Sequence, residues 1–251
     1  MIVVLYVIAA LIGISLGLIG AGGAIVAVPA FVYIGGIPAT LASGYALFVI
    51  AIATLVGAIQ YLRKGLVDWR SVMAFGVTTL TSISVIRKFV VPLLPPDIDM
   101  ALMLAFAGVL MMAGTAMIRI TPVPHTGEPP HILRLTALGL VIGIVSGFLG
   151  VGGGFLMTPA LVLWAKLDMK KAVGTSLVLI SANGLAGSLA DLSASVTYDW
   201  PFLLMFTALT TIGVFIGTVL SHRIDGQKLK KGFGWFVVTL GVAVMLRELL
   251  Y

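Results

Sequence analysis

The segment GLIGAGGAIVAVPAF spans Gly17–Phe31, and a near-copy, GFLGVGGGFLMTPAL, spans Gly147–Leu161. Each copy interrupts an apolar run with clustered glycines and places a proline a few residues later. Glycine and proline are the strongest local interruptions of a helix. The duplication predicts two equivalent helix breaks within one repeated fold.

The composition places these breaks in a membrane protein. Sixty per cent of the 251 residues are apolar and ten per cent are charged, whereas an ordinary soluble domain has about 25% charged residues. The apolar segments approach the roughly 20 residues that a membrane-spanning helix needs, which argues against the short strands of a barrel. We predict an all-α, polytopic membrane protein. The first apolar run has no basic start, so we interpret it as a membrane helix and not as a cleaved signal peptide.

Apolar segments divide the chain into predicted helices. Two of these segments are too short to cross a bilayer alone, and both follow a glycine cluster. We expect each of the two to be a short helix near the membrane midplane. The predicted helices lie near residues 2–19, 24–34, 41–62, 71–94, 98–118, 132–149, 154–165, 172–190, 201–221 and 229–249.

The chain is an internal repeat. Shifting it by 130 residues aligns the glycines and proline of the two copies, and one inserted residue later Asp68–Trp69 aligns with Asp199–Trp200. A polar, proline-rich stretch separates the copies. We predict a first membrane repeat at residues 1–118, a cytoplasmic linker at 119–134 and a second membrane repeat at 135–251.

Basic residues predict opposite orientations for the two repeats. The loop RKGLVDWR carries Arg63, Lys64 and Arg70, whereas its counterpart at Asp191–Asp199 has no Lys or Arg. Cytoplasmic loops carry an excess of Lys and Arg. We therefore expect inverted repeats with both termini outside. This orientation leaves Arg87 and Lys88 toward the outer side, against the charge rule.

The glycine breaks are candidate anion sites. In inverted-repeat transporters, broken helices present backbone NH groups and positive dipole ends to anionic substrates near the midplane. The alternative is that the glycines only allow helices to pack closely. The candidate substrate-binding glycines are Gly22, Gly23, Gly152, Gly153 and Gly154.

Two motifs carry a family resemblance. GFLGVGGGFLMTPALVL followed by KKAVGTSLVLISANGLAG resembles the second-half signature of the sulfite exporter TauE/SafE family of membrane transporters, and GLIGAGGAIVAVPAF resembles the first-half copy. The resemblance implies transport of sulfite, organosulfonates and related small anions across the inner membrane. The first half departs from the pattern, because Tyr45 and Ala46 stand where the second half has Thr175 and Ser176.

Polar side chains near the breaks could hold such an anion. Thr175, Ser176 and Asn183 lie in the second half, and Ser43 lies beside the equivalent turn of the first half. Their hydroxyl and amide groups suit sulfite or sulfonate oxygens. The alternative is that these side chains bond to helix carbonyls or join helix contacts.

Arg87 allows two interpretations. Charges inside a membrane are costly and often functional, so Arg87 could supply a fixed cation for the substrate. The interpretation that we favour from sequence is that it extends to the outer interface, with Asp97 and Asp99 as nearby counterions. Proton or sodium coupling usually needs a carboxylate inside the membrane. Asp191 is the nearest candidate for it, but we interpret Asp191 as ending its helix at the surface.

Other functions have little support in the sequence. There is no cysteine, and the three histidines lie in the linker or beside a basic loop, so neither a metal site nor an enzyme is expected. The basic residues lie in short clusters between apolar segments, which argues against nucleic-acid binding. We predict an anion transporter, and an exporter by the family resemblance, working by alternating access without a cofactor. An anion channel and a non-transporting membrane scaffold are the alternatives. A homodimer is a candidate assembly, although no interface is evident.

Overall fold

The computed structural model describes residues 2–20, 22–95, 98–119, 132–150, 153–193, 197–221 and 226–250, and the regular structure in these residues is helical. The α-helices are α1 (Ile2–Ile19), α2 (Gly22–Tyr33), α3 (Ala39–Arg63), α4 (Trp69–Val85), α5 (Asp99–Arg119), α6 (Ile132–Leu149), α7 (Gly154–Leu163), α8 (Met169–Ser193), α9 (Trp200–Ser221) and α10 (Gly226–Leu250). After α4 the chain continues into a π-turn (Ile86–Val90) and a 3-10 turn at Val91–Leu93.

The helix lengths confirm an all-helical, polytopic membrane protein. Five helices in the described chain are long and apolar enough to cross a membrane: α3, α4 with its two following turns, α5, α8 and α9. The helices that follow the glycine clusters are short, with 12 residues in α2 and 10 in α7. Each begins at a glycine and contains the proline of its motif.

Helices of one repeat pack on helices of the other. The Gly13 and Gly17 face of α1 lies against Gly213 and Gly217 of α9, with glycine backbone in direct contact. The equivalent helix α6 uses Gly143 in the same way against α4. Such small residues allow helix backbones in a membrane to approach closely. The two halves are therefore interleaved, each supplying the packing partner for the first helix of the other.

The centre of the molecule is formed by α3 and α8. Leu47 of α3 faces Gly187 of α8, and Gly57 of α3 faces Leu177 of α8. Because the early residues of one helix meet the late residues of the other, these two helices run antiparallel. They are also equivalent in the sequence repeat, which aligns residue 57 with residue 187.

Aspartates begin several of the helices. Asp68 accepts a hydrogen bond from the Ser71 N–H at 2.9 Å and caps α4. The Asp99 carboxylate accepts the N–H groups of Ala39 and Thr40 at 3.1 and 3.3 Å, which satisfies otherwise unpaired donors at the start of α3. Asp99 is thus engaged at a helix terminus, and the expectation that it is a counterion of Arg87 is wrong. Asp97 lies outside the described residues.

Candidate functional site

A fully buried arginine lies at the centre of the candidate site. Arg87 belongs to the π-turn after α4, and its side chain is only 1% exposed. A π-turn inserts one residue into a helix, and such turns occur frequently at functional sites. One guanidinium nitrogen, Nη1, donates to the Ser43 hydroxyl at 2.8 Å. The other, Nη2, donates to Asp191 at 2.7 Å.

The arginine is paired with a buried carboxylate from the opposite repeat. Asp191 lies near the end of α8 and is 3% exposed. The same carboxylate oxygen that binds Arg87 accepts the Tyr198 hydroxyl at 3.1 Å. Burial raises the pKa of Tyr198 above its usual value and the Asp191 charge adds to the effect, so the phenol remains a hydrogen-bond donor.

The burial of this pair corrects two expectations. Arg87 does not extend to the outer interface, and Asp191 does not end its helix at the surface. Taking two charges out of water costs several kcal/mol per ion, and only close pairing with further hydrogen bonds compensates. Ser43 and Tyr198 supply those further bonds. A charge at the end of an apolar segment can therefore be stabilised either by water at the interface or by a buried partner. Arg87 has the buried partner.

Glycines leave the room that the ion pair occupies. A Cβ atom at Gly44 would lie 2.8 Å from Asp191 Oδ2, 2.9 Å from the Tyr198 hydroxyl and 3.3 Å from Arg87 Nη2. On the other side, Gly150 has a φ of +67° and presses its backbone against Ser43. Gly150 is therefore in direct contact with Ser43, the residue whose hydroxyl accepts a hydrogen bond from Arg87.

The Nε–H group of the guanidinium is unused within the described part of the chain. Arg87 Nε is buried and finds no hydrogen-bond partner there. Nε and Nη2 form a fork that binds two oxygens of a carboxylate, sulfonate or phosphate at once. Among the residues that the structure describes, one oxygen of Asp191 occupies the Nη2 half of the fork and none occupies the Nε half. An unpaired buried donor is costly, so this side of Arg87 is suited to a second acceptor.

The predicted glycines lie at the starts of the two short helices. Gly22 and Gly23 are in the first turn of α2, Gly154 begins α7, and Gly153 precedes it with a left-handed φ of +74°. Gly152 lies outside the described residues. The two short helices pack against one another, as expected for paired breaks.

The predicted hydroxyls of the second half are bonded within the protein. Thr175 accepts the Asp68 N–H at 2.9 Å. Ser176 donates to the Val173 carbonyl at 2.9 Å and is 3.0 Å from Thr158 Oγ1, which donates to it. The structure brings Ser43 and Arg87 together, whereas the hydrogen bonds of Thr175 and Ser176 go to other groups.

Asn183 also joins a helix contact. Its Oδ1 atom accepts a hydrogen bond from Thr79 of α4 at 3.1 Å, and its Nδ2 atom lies 3.9 Å from Met157 Sδ. The side chain is completely buried. Asn183 therefore ties α8 to α4 and to the short helix α7.

Sequence reasoning named Asp191 only as the nearest candidate for a coupling carboxylate, without its contact to Arg87, and it missed Tyr198 and Tyr45 as members of the site. Tyr45 accepts the Asp199 N–H at 2.7 Å and its ring packs edge-on against Tyr198. A pattern in the repeat could have indicated the pair. Arg87 aligns with Thr218 and Asp191 aligns with Tyr61, so both charges depart from the repeat and compensate one another.

Replacing Gly44 with Ala is expected to destabilise the protein by pushing Asp191 and Arg87 apart. The new methyl group would enter the space between their polar atoms, while the helical backbone of α3 accepts alanine without strain. Gly108→Ala in α5 is the matched control, because a Cβ there meets nothing within 4 Å. Thermal unfolding in detergent measures the effect. Equal unfolding temperatures for the two variants would show that the spacing of the pair is unimportant.

Comparison with known proteins places the fold in a family of transporters. The family model of the sulfite exporter TauE/SafE matches residues 5–244. A probable membrane transporter protein of Xylella fastidiosa (strain 9a5c) is 30% identical over 95% of this chain and 92% of its own length. The probable membrane transporter protein YunE of Bacillus subtilis is 29% identical over 90% of this chain and 91% of its own. No solved structure matches the chain. The protein described here therefore belongs to the sulfite exporter TauE/SafE family.

Proposed function

We propose that the protein moves small sulfur-containing anions, such as sulfite or organosulfonates, across the inner membrane by alternating access, with Arg87 as the fixed cation of the site. The observation that carries this proposal is the buried guanidinium, whose Nε–H has no partner in the described ranges of the chain. Ionisable residues inside membrane proteins commonly mark substrate pathways.

The chemistry of the guanidinium favours an oxyanion. A sulfonate or sulfite presents two oxygens to the Nε and Nη2 fork, and such bidentate bonds add geometric selectivity to the charge attraction. Ser43, already bonded to Nη1, has its hydroxyl beside the same group. Aromatic rings of Tyr45 and Tyr198 pack next to this cluster and are buried, which keeps bulk water away from the pair.

The helix arrangement supports inverted halves. The equivalent helices α3 and α8 run antiparallel, which is the relation that two membrane repeats of opposite orientation require. In such transporters one repeat or bundle moves relative to the other around a fixed site. The Arg87–Asp191 bond joins the two halves and must break when they separate.

The hydroxyls of the second half have a proposed role in the opposite conformation. Thr175 is the repeat equivalent of Tyr45, and both accept the backbone N–H of the aspartate that starts a following helix. By this equivalence Thr175, Ser176 and Asn183 would face the anion from the other side of the membrane. The helix starts at Gly22 and Gly23 and at Gly153 and Gly154 would add backbone NH donors. Gly152, which lies outside the described residues, stays a predicted donor.

Reconstitution into liposomes tests the proposal. We expect sulfite or methanesulfonate inside the vesicles to accelerate uptake of the same anion, labelled, from outside. The uptake rate should saturate at high anion concentration. Acetate should compete less well than either anion. Unitary currents in a planar bilayer would instead identify a channel. A complete lack of flux and of anion binding would favour a scaffold.

Cysteine labelling is expected to place residue 197 outside and residues 64 and 231 in the cytoplasm, as inverted repeats with both termini outside require. The chain has no native cysteine, and Lys64, Thr197 and Lys231 are exposed. A membrane-impermeant maleimide applied to intact cells should label the cysteine at residue 197 and spare the other two until the membrane is permeabilised. Labelling of residue 197 only after permeabilisation would contradict the inverted arrangement.

A further inference from the structure

We propose that Asp191 is the coupling group of this transporter, taking up one proton for each monoanion that binds Arg87. This inference rests on the proposed function and adds a second transported species, the proton. The carboxylate occupies the guanidinium when no substrate is bound, and the substrate takes its place.

Charge balance in the buried site leads to this coupling. With Arg87 positive and Asp191 negative, the buried pair is neutral. Adding a monoanion would leave one uncompensated negative charge away from water, which is strongly unfavourable. Protonation of Asp191 restores neutrality and also frees Arg87 to form a bidentate bond with the anion.

The surroundings of Asp191 offer few other ways to balance the charge. Within the described residues, the titratable groups that interact with it are Arg87 from the π-turn and Tyr198 from the loop before α9. The ring of Tyr45 in α3 packs against the ring of Tyr198. The residue of α3 that lies beside the Asp191 carboxylate is Gly44, which has no side chain. Neither tyrosine is a cation, so in the part of the chain that the structure describes Arg87 is the positive charge in contact with Asp191.

The proton step is a simple transfer. A proton from the aqueous phase on the open side forms an O–H bond with the Asp191 carboxylate, while its hydrogen bond to Arg87 Nη2 breaks. The substrate oxygens then accept from Arg87 Nε and Nη2. After the protein opens to the other side, the anion leaves, Asp191 releases the proton to water, and the ion pair re-forms.

The repeat-equivalent positions show why the coupling belongs to one end of the molecule. Tyr61, which aligns with Asp191, is 3.1 Å from the Ser221 hydroxyl in a neutral hydrogen bond. Thr218, which aligns with Arg87, donates to the Val214 carbonyl of its own helix. The repeat positions that carry the ion pair in one half of the site thus carry neutral groups in the other.

Proton uptake during anion binding tests the inference. Methanesulfonate is the probe, because it stays fully ionised from weakly acid to weakly alkaline pH. Purified wild-type protein, titrated in a weak buffer with a pH-indicator dye, should take up one proton per methanesulfonate bound. Its affinity should fall by about tenfold for each unit of pH increase once Asp191 is ionised in the free protein. In proteoliposomes a pH gradient, acid outside, should drive methanesulfonate uptake. A membrane potential alone should not, because a proton and a monoanion carried together have no net charge.

Asp191→Asn should bind methanesulfonate without proton uptake and with no pH dependence, and should exchange it without response to a pH gradient. Asp199→Asn is the matched control, since Asp199 is exposed and asparagine also caps a helix. It should behave as wild type. Asp191→Glu should keep proton uptake, which provides an independent check if the Asn variant is poorly folded.

The outcomes separate this inference from the proposed function. Binding of methanesulfonate to wild type without proton uptake would overturn the coupling and leave the transporter proposal standing. Continued proton uptake by a folded Asp191→Asn would do the same. Absence of binding and flux for both sulfite and methanesulfonate would overturn the proposed function, and the coupling with it.

Discussion

Arg87→Gln is expected to remove anion binding and to destabilise the protein by about 3–5 kcal/mol. The loss of stability follows because Asp191 is left as an uncompensated buried charge. The loss of binding follows because hydrogen bonds to a charged group contribute about 1.5–3 kcal/mol each, and each 1.4 kcal/mol is a tenfold change in affinity. Losing two such bonds should weaken binding by at least about a hundredfold.

A double variant separates these two effects. Arg87→Gln with Asp191→Asn removes both charges, so we expect stability to recover substantially while anion binding stays absent. Isothermal titration measures binding, and thermal unfolding in detergent measures stability. Lys88→Gln is the matched control, because Lys88 is the adjacent cation and is exposed. Near-normal affinity in Arg87→Gln would exclude Arg87 as a substrate ligand.

Gly150→Ala is expected to destabilise the structure by about 2–5 kcal/mol. Part of this cost is the left-handed backbone, at φ +67°, which costs a non-glycine residue about 1–2 kcal/mol. The rest is overpacking of about 1–3 kcal/mol, because the new Cβ would collide with the Cα, Cβ and carbonyl oxygen of Ser43. Displacement of Ser43 would also disturb its hydrogen bond to Arg87.

A second glycine isolates the backbone contribution. Gly65 has nearly the same φ, +66°, but a Cβ there meets nothing within 4 Å. Gly65→Ala should therefore cost only the conformational part, about 1–2 kcal/mol. Thermal unfolding of both variants measures the difference, and anion titration reports on the site. Equal destabilisation of the two variants would show that the contact with Ser43 is unimportant.

Much of the fold was predictable from sequence because membrane helices have a direct compositional basis. Apolar runs and glycine or proline interruptions predicted α1 at residues 2–19 and the short helix α7 near residues 154–165, and the structure has Ile2–Ile19 and Gly154–Leu163. These features are local. The packing of α1 on α9 and of α6 on α4, each across the two repeats, was not predicted. These contacts join residues far apart in the chain, and the local sequence does not specify which helix a glycine face will meet.

The candidate site was only partly predictable for the same reason. Ser43 and Arg87 were each predicted as candidate site residues from residue type and membrane depth. Their contact with one another and the pairing of Arg87 with Asp191 were not predicted, because these contacts join different helices. A charge at the end of an apolar segment has similar sequence surroundings whether it extends to water or finds a buried partner. Arg87 is buried because it pairs with Asp191, which is 104 residues away along the chain.

The interleaving of the two repeats has a consequence for biogenesis. Proteins emerge from the ribosome with the N-terminal part first. The first helix, α1, must then wait in the bilayer for α9 before its glycine face at Gly13 and Gly17 is covered. During most of synthesis this face is available to lipid, to chaperones or to another chain. A fragment ending at the linker would lack α9, so the first repeat alone would be an unfinished assembly intermediate.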